Sequence, residues 1–188
     1  MTNVILLGAS GSIGRALHQH FSEQPEYNVF GVDLTLSDTA EYACEVKDFE
    51  SVSSVFRTIH QKNGEIDCII NLVGKIHNQP FYNVMKRSKY IKLNVWDEIL
   101  NLNLTTAFII SNAYHDYCTA NKLKMNLIHF SSVTASGNPG QLAYSVAKSG
   151  VETLTKTLAR ELGGRGHRIN AISPGYINVD STQTALSD

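Results

Sequence analysis

The 188 residues include only three cysteines, one tryptophan and four prolines, and their charges almost cancel, with 16 Lys and Arg against 17 Asp and Glu. Each shortage closes off a class of protein. Cys44, Cys68 and Cys118 are scattered, without Cys-x-x-Cys spacing. That excludes a disulfide framework or a cysteine zinc site, leaves no metal centre to expect, and suits reduced core thiols in a cytoplasmic protein. A formal charge of -1 offers little to a nucleic-acid backbone or an anionic membrane, so neither is expected as a partner. No run approaches the roughly 18 apolar residues of a spanning helix. The apolar run at residues 4–7 is too short, and too poor in basic flanks, for a secretory signal. Repeats, linkers and low-complexity tracts are missing as well. What remains is 43% hydrophobic, enough for one domain, 1–188, with a real core.

The apolar run at 4–7 reads as a strand buried on both faces. It leads into Gly8-Ala9-Ser10-Gly11-Ser12-Ile13-Gly14 and then a helical pattern through Ile13, Leu17 and Phe21. Strand, glycine turn and helix start is the context of a phosphate-binding loop, where backbone N–H groups approach a pyrophosphate at a helix N-terminus. A second strand over 27–32 ends in Asp33. A carboxylate there can accept both hydroxyls of an adenosine ribose and repels a 2′-phosphate, while Arg15 is the nearby cation that could attract one. Further strands are expected over 42–46, 66–73, 126–130 and 168–173. Helices are expected over 49–61, 96–117 and 143–162. This alternation argues a doubly wound parallel sheet of the α/β class, whose ligands bind at the carboxyl ends of the strands. Asn71 and Gly74 sit at one such end. The basic run Lys86-Arg87-Ser88-Lys89 reads as a solvated loop, with an anionic-substrate contact as the alternative. Asn103 is polar within an apolar stripe and needs a hydrogen-bond partner if buried.

Tyr144 and Lys148 open the last long helix as Tyr-x-x-x-Lys, which places them one turn apart on one face. A free tyrosine has a pKa of about 10. An ammonium beside it would favour the phenolate and bring the group toward a working range. Tyr-x-x-x-Lys alone is a weak signal; the ordered company it keeps is a strong one.

That ordered set is the glycine turn, Asp33, Asn71-x-x-Gly74, Asn103, Ser132, Tyr144-x-x-x-Lys148 and Pro174-Gly175. Over nearly the whole chain it resembles the short-chain dehydrogenase/reductase family. The resemblance implies a three-layer αβα Rossmann-type sheet, with six strands here and the family's seventh absent. It also implies four catalytic residues. Tyr144 would be the general acid/base and Ser132 would hydrogen-bond the reacting oxygen. Lys148 would lower the tyrosine pKa and hold the nicotinamide ribose, and Asn103 would anchor a water leading from Lys148 to solvent. Dinucleotide contacts would come from Gly8, Ser10, Gly11, Ser12, Ile13, Gly14, Asp33, Asn71, Gly74, Tyr144, Lys148, Pro174 and Gly175. Glu45 stands where the family places the Asp at adenine, with Val46 beside it.

The departures are the shifted middle glycine (Gly-x-x-Gly-x-x-Gly), Leu7 for a common Thr, and Asn71-Leu72-Val73-Gly74 for Asn-Asn-Ala-Gly. The family continues past Pro-Gly with a substrate-covering segment, a helix and a strand, so the expectation at Asp188 is either a C-terminal truncation or a protein without that lid and edge strand. The expected activity is hydride transfer between NAD, or NADP as the second choice, and a secondary alcohol or ketone. A sugar or nucleotide-sugar modifier, suggested by the glycine spacing, is one alternative. A non-catalytic dinucleotide-binding domain is the other. In relatives the two long helices build a four-helix dimer interface, so a homodimer through 96–117 and 143–162 is expected.

Overall fold

The computed structural model describes residues 1–82 and 90–177. The basic run from Lys86 to Lys89, and with it any anionic contact, lies outside them. In chain order the elements are β1 (Thr2–Leu7), α1 (Ser12–Ser22), β2 (Tyr27–Asp33), β3 (Tyr42–Ala43), α2 (Phe49–Asn63), β4 (Cys68–Asn71), α3 (Leu93–Leu100), α4 (Thr106–Ala120), β5 (Asn126–Phe130), α5 (Leu142–Leu162) and β6 (Arg168–Ile172). The six strands pair in parallel, in the order β3-β2-β1-β4-β5-β6. Strand β1 lies between β2 and β4, with Leu7 level with Val32 on one side and Asn71 on the other. The chain leaves β1 toward β2 and returns on the far side at β4. The crevice above Leu7 and Asn71 is therefore the topological switch point where such sheets bind ligands.

Two cores flank the sheet. On one face Ile5, Leu7, Ile69 and Leu127 pack with Phe56 and Ile59 of α2, Ile110 and Tyr114 of α4 and, at its margin, Leu158 and Leu162 of α5. On the other face Val4, Leu6 and Ile70 meet Leu17 and Phe21 of α1. This is the αβα Rossmann-like layering expected from the strand–helix alternation. Strand β1 is buried from Asn3 to Leu7 because it is covered on both faces. The cysteines are buried free thiols. Burial pushes Cys68 up to about 11 and Cys118 up to about 12, so both stay protonated and unreactive.

Three expectations are corrected. Strand β3 is two residues long rather than five, because its partner β2 ends at Asp33, whose carbonyl accepts the last bond from the Cys44 N–H. Strand β4 keeps only four of the residues expected over 66–73. The single helix expected over 96–117 starts at Leu93, ends at Ala120 and is interrupted by a π-turn, Asn101–Thr105, where the Thr106 N–H reaches back to the Asn101 carbonyl. The Asn103 side chain supports this turn by donating Nδ2–H to the Ile99 carbonyl at 3.0 Å. Such bulges concentrate at functional sites, and apolar periodicity does not reveal them.

Candidate active site

The glycine turn closes tightly over the end of β1. Gly8 has φ +88°, a conformation open to glycine, and a side chain there would crowd the Leu72–Val73 peptide at 3.1–3.3 Å. A Cβ on Gly14 would run into the Gly8 and Ala9 carbonyl oxygens. The N-cap of α1 is Gly11 and no side chain caps it, so the leading N–H groups of the helix remain available to an anion. These residues line a cleft of about 900 Å³, together with Gly74, Ser132, Tyr144, Lys148, Pro174 and Gly175. An uncapped helix start beside a backbone cradle that a Cβ would fill fits a dinucleotide pyrophosphate.

Asp33 ends β2 with its carboxylate partly engaged. Oδ2 accepts from the Ser10 N–H at 2.9 Å and Oδ1 from the Leu34 N–H at 2.7 Å. Arg15 donates to the Ser10 carbonyl, and the Ser10 and Ser37 hydroxyls are 2.8 Å apart. The Glu45 carboxylate accepts from the Lys47 N–H at 3.0 Å and Val46 packs on the core. Asp33, Glu45, Val46 and Asn71 all lie outside the lining of the cleft.

On the opposite wall Lys148 is 4% exposed. Its ammonium donates to the Phe130 carbonyl at 2.8 Å and lies 5.7 Å from the centre of the Tyr144 ring. Burial pulls its pKa from 10.5 down to about 8. The expectation for Tyr144 is reversed: burial raises its pKa, opposed only by hydrogen bonding with Ser132. Burial is the dominant influence, so the buried phenol stays protonated at neutral pH. Ser132 begins the short turn Val133–Ser136 and its Oγ accepts from both N–H and Oγ1–H of Thr134, at 3.2 and 3.0 Å. Its own proton is thereby left free to point toward Tyr144 and a ligand. Ser131 differs, since its hydroxyl is directed to the Lys148 carbonyl and the Glu152 carboxylate, both at 3.1 Å.

Asn103 holds the backbone of Lys75 at two points. Oδ1 accepts from the Lys75 N–H at 3.0 Å, and Nδ2 donates to the Lys75 carbonyl at 3.2 Å. With Ile99 as its other acceptor, both amide hydrogens go to backbone. Gly74 sits in the gap between: a Cβ there would lie 2.6 Å from Asn103 Oδ1 and 3.0 Å from Lys148 Nζ.

A family profile described as enoyl-(acyl carrier protein) reductase matches residues 8–188. The chain belongs to the short-chain dehydrogenase/reductase family. It is thus a dinucleotide-dependent oxidoreductase by family. A Vibrio harveyi relative named 3-oxoacyl-(acyl-carrier-protein) reductase FabG is 33% identical over 196 residues, covering 98% of this chain and 76% of that protein. A Vibrio cholerae protein of the same name is 31% identical, with the same coverage. Among solved structures, a short chain dehydrogenase from Bacillus anthracis superposes with a TM-score of 0.82 at 26% identity, over 94% of this chain and 75% of that one. 4-Hydroxyisoleucine dehydrogenase complexed with NADH gives 0.80 at 23%, over 99% and 80%. Among the described residues no helix is long and apolar enough to cross a membrane, and no cluster of three metal-ligating side chains occurs.

Sequence reasoning missed several residues of this short-chain dehydrogenase site. Thr134 and the Phe130 carbonyl carried no sequence signal. His129 did carry one: it is a polar residue inside the otherwise apolar strand Leu127-Ile128-His129-Phe130, and such a residue requires partners.

Proposed function

We propose that the chain is an NAD(H)-dependent oxidoreductase that interconverts a secondary alcohol and a ketone. The carrying observation is that Ser132, Tyr144 and Lys148 line the same cleft as the glycine turn. When bound, the dinucleotide supplies the hydride. The chain has to orient substrate and manage one proton. Tyr144, held protonated by burial, gives its proton to the oxygen of a ketone being reduced. Ser132, its lone pairs occupied by Thr134, donates a second hydrogen bond to that oxygen, in the manner of an oxyanion hole. Lys148, charged below about pH 8, favours the tyrosinate left behind, and Asn103 fixes the Lys75 backbone at the rim.

The preference for NAD(H) rests on Asp33. Its two N–H partners fix the carboxylate at the end of β2, where it can accept ribose hydroxyls and repels a 2′-phosphate. The names of the FabG relatives make a 3-oxoacyl thioester the first ketone to test. A homodimer through α4 and α5 accounts for Phe108 and Val146, which stand 53% and 41% exposed on those helices.

The test is titration of the protein with NADH and with NADPH, followed by Trp96 fluorescence. Loss of NADH absorbance with a 3-oxoacyl thioester is then measured. Tighter NADH binding and turnover are expected. Binding of NADPH alone would overturn the Asp33 argument, and binding of neither would overturn the functional reading.

A further inference from the structure

His129 has no part in the chemistry proposed above, yet it is fully buried in the middle of the sheet beneath the cleft. Four hydrogen bonds run through it in series. Val73 N–H donates to Asn71 Oδ1 at 3.1 Å, which fixes the orientation of the Asn71 amide. Asn71 Nδ2 must then be the donor toward His129 Nδ1, 3.1 Å away. A ring nitrogen that accepts is unprotonated, so the ring carries its proton on Nε2 and donates it to Ser111 Oγ at 3.0 Å. Ser111 passes its own proton on to the Ala107 carbonyl at 2.7 Å. Every donor has one acceptor and no alternative arrangement satisfies all four bonds. A second ring proton would face the Asn71 amide hydrogens.

The end of this chain is the peptide on which the crevice is built. Val73 N–H belongs to the Leu72–Val73 unit, the same peptide that a Cβ on Gly8 would touch at 3.1–3.3 Å. One residue further on, Gly74 fits between Asn103 and Lys148. We propose that His129, as the neutral Nε2–H tautomer, is a positioning residue: by holding the Asn71 amide it sets the Leu72–Gly74 turn against the glycine loop and gives the dinucleotide crevice its shape. The inference rests on the reading that this crevice holds a nicotinamide dinucleotide.

Two measurements test it. Nitrogen-15 NMR of the histidine rings should show His129 with Nδ1 unprotonated and a slowly exchanging Nε2–H. A protonated Nδ1 would overturn the proposal. In parallel, NADH is titrated against wild type, His129→Leu and His129→Asn. His129→Leu should weaken NADH binding about tenfold, the effect of one lost buried hydrogen bond. His129→Asn, whose carbonyl can accept from Asn71, should recover most of that loss. A His129→Leu protein that is less stable but binds NADH like wild type would reduce His129 to a core-packing residue. If His129→Leu fails to fold, Ser111→Ala decides. It removes the Nε2–H acceptor without touching the cleft, and should change the ring tautomer signal and weaken NADH binding. No change in either overturns the proposal. A wild-type chain that binds neither dinucleotide sinks the functional reading, and the ring spectrum still decides the tautomer.

Discussion

Replacing Lys148 with Met should make the protein more stable at neutral pH while destroying its activity. Lys148 is 4% exposed, and among the described residues its ammonium has one hydrogen-bond acceptor, the Phe130 carbonyl. Burial lowers its pKa from 10.5 to about 8. A tenfold shift in a protonation equilibrium is about 1.4 kcal/mol, so holding the charge inside costs roughly 3 kcal/mol at pH 7. The sign follows from linkage. The folded pKa lies below the unfolded one, so the folded state prefers the neutral amine. Wild-type stability from this group is therefore fully present above pH 10.5 and lost as pH falls toward 8. Methionine removes the charge, keeps most of the apolar stem and forfeits one hydrogen bond, worth about 1 kcal/mol. The variant should be about 2 kcal/mol more stable than wild type at pH 7. It should lose that advantage by pH 10.5, so the two pH curves cross. Urea unfolding between pH 7 and 10.5, followed by circular dichroism, measures both curves. A variant that is less stable at pH 7 and runs parallel to wild type would refute the reasoning, because the lysine would then be comfortably solvated or paired.

Tyr144→Phe should lower kcat by at least about a hundredfold while leaving NADH binding intact; retained turnover on a true substrate would remove Tyr144 as the acid. Because burial raises the Tyr144 pKa, ketone reduction should be flat through neutral pH, whereas alcohol oxidation, which needs the phenolate, should keep rising with pH; initial rates in both directions check this. Gly74→Ala pushes a methyl against Asn103 Oδ1 and Lys148 Nζ, an overpacking cost of about 1–3 kcal/mol readable as a lowered urea midpoint together with reduced activity. His129, lowered from 6.5 to about 4 by burial first and the Lys148 charge second, contributes stability that is present above pH 6.5 and lost as pH falls toward 4. Its share is roughly 3 kcal/mol, and His129→Asn should flatten that part of the acid unfolding curve.

Local order left its marks in the sequence. A run buried on both faces must be apolar throughout, so β1 could be read from residues 4–7. A turn that brings backbone against backbone must be glycine, so Gly8 and Gly14 could be read as well. Tyr144 and Lys148 were legible as neighbours because α-helix geometry puts residues four apart on one face. Contacts between distant segments leave no such trace. The sequence pointed to an ammonium tuning a phenol; in the fold that ammonium turns to the carbonyl of Phe130, 18 residues away in the chain, and burial governs the tyrosine instead. Asn103 was legible as a polar residue in need of a partner. Which partners it found, Lys75 and Ile99 across a π-turn, depended on where the loop after β4 lay.

By itself, then, the amino-acid order determined the alternation of strand and helix, the glycine turn and the residue types available for proton transfer, because helix and strand periods and steric limits act over a few residues. Only the tertiary structure decided the protonation preferences of Tyr144, Lys148 and His129. A pKa depends on how much water and which dipoles surround a group, and those are supplied by segments dozens of residues apart that meet only when the sheet is assembled.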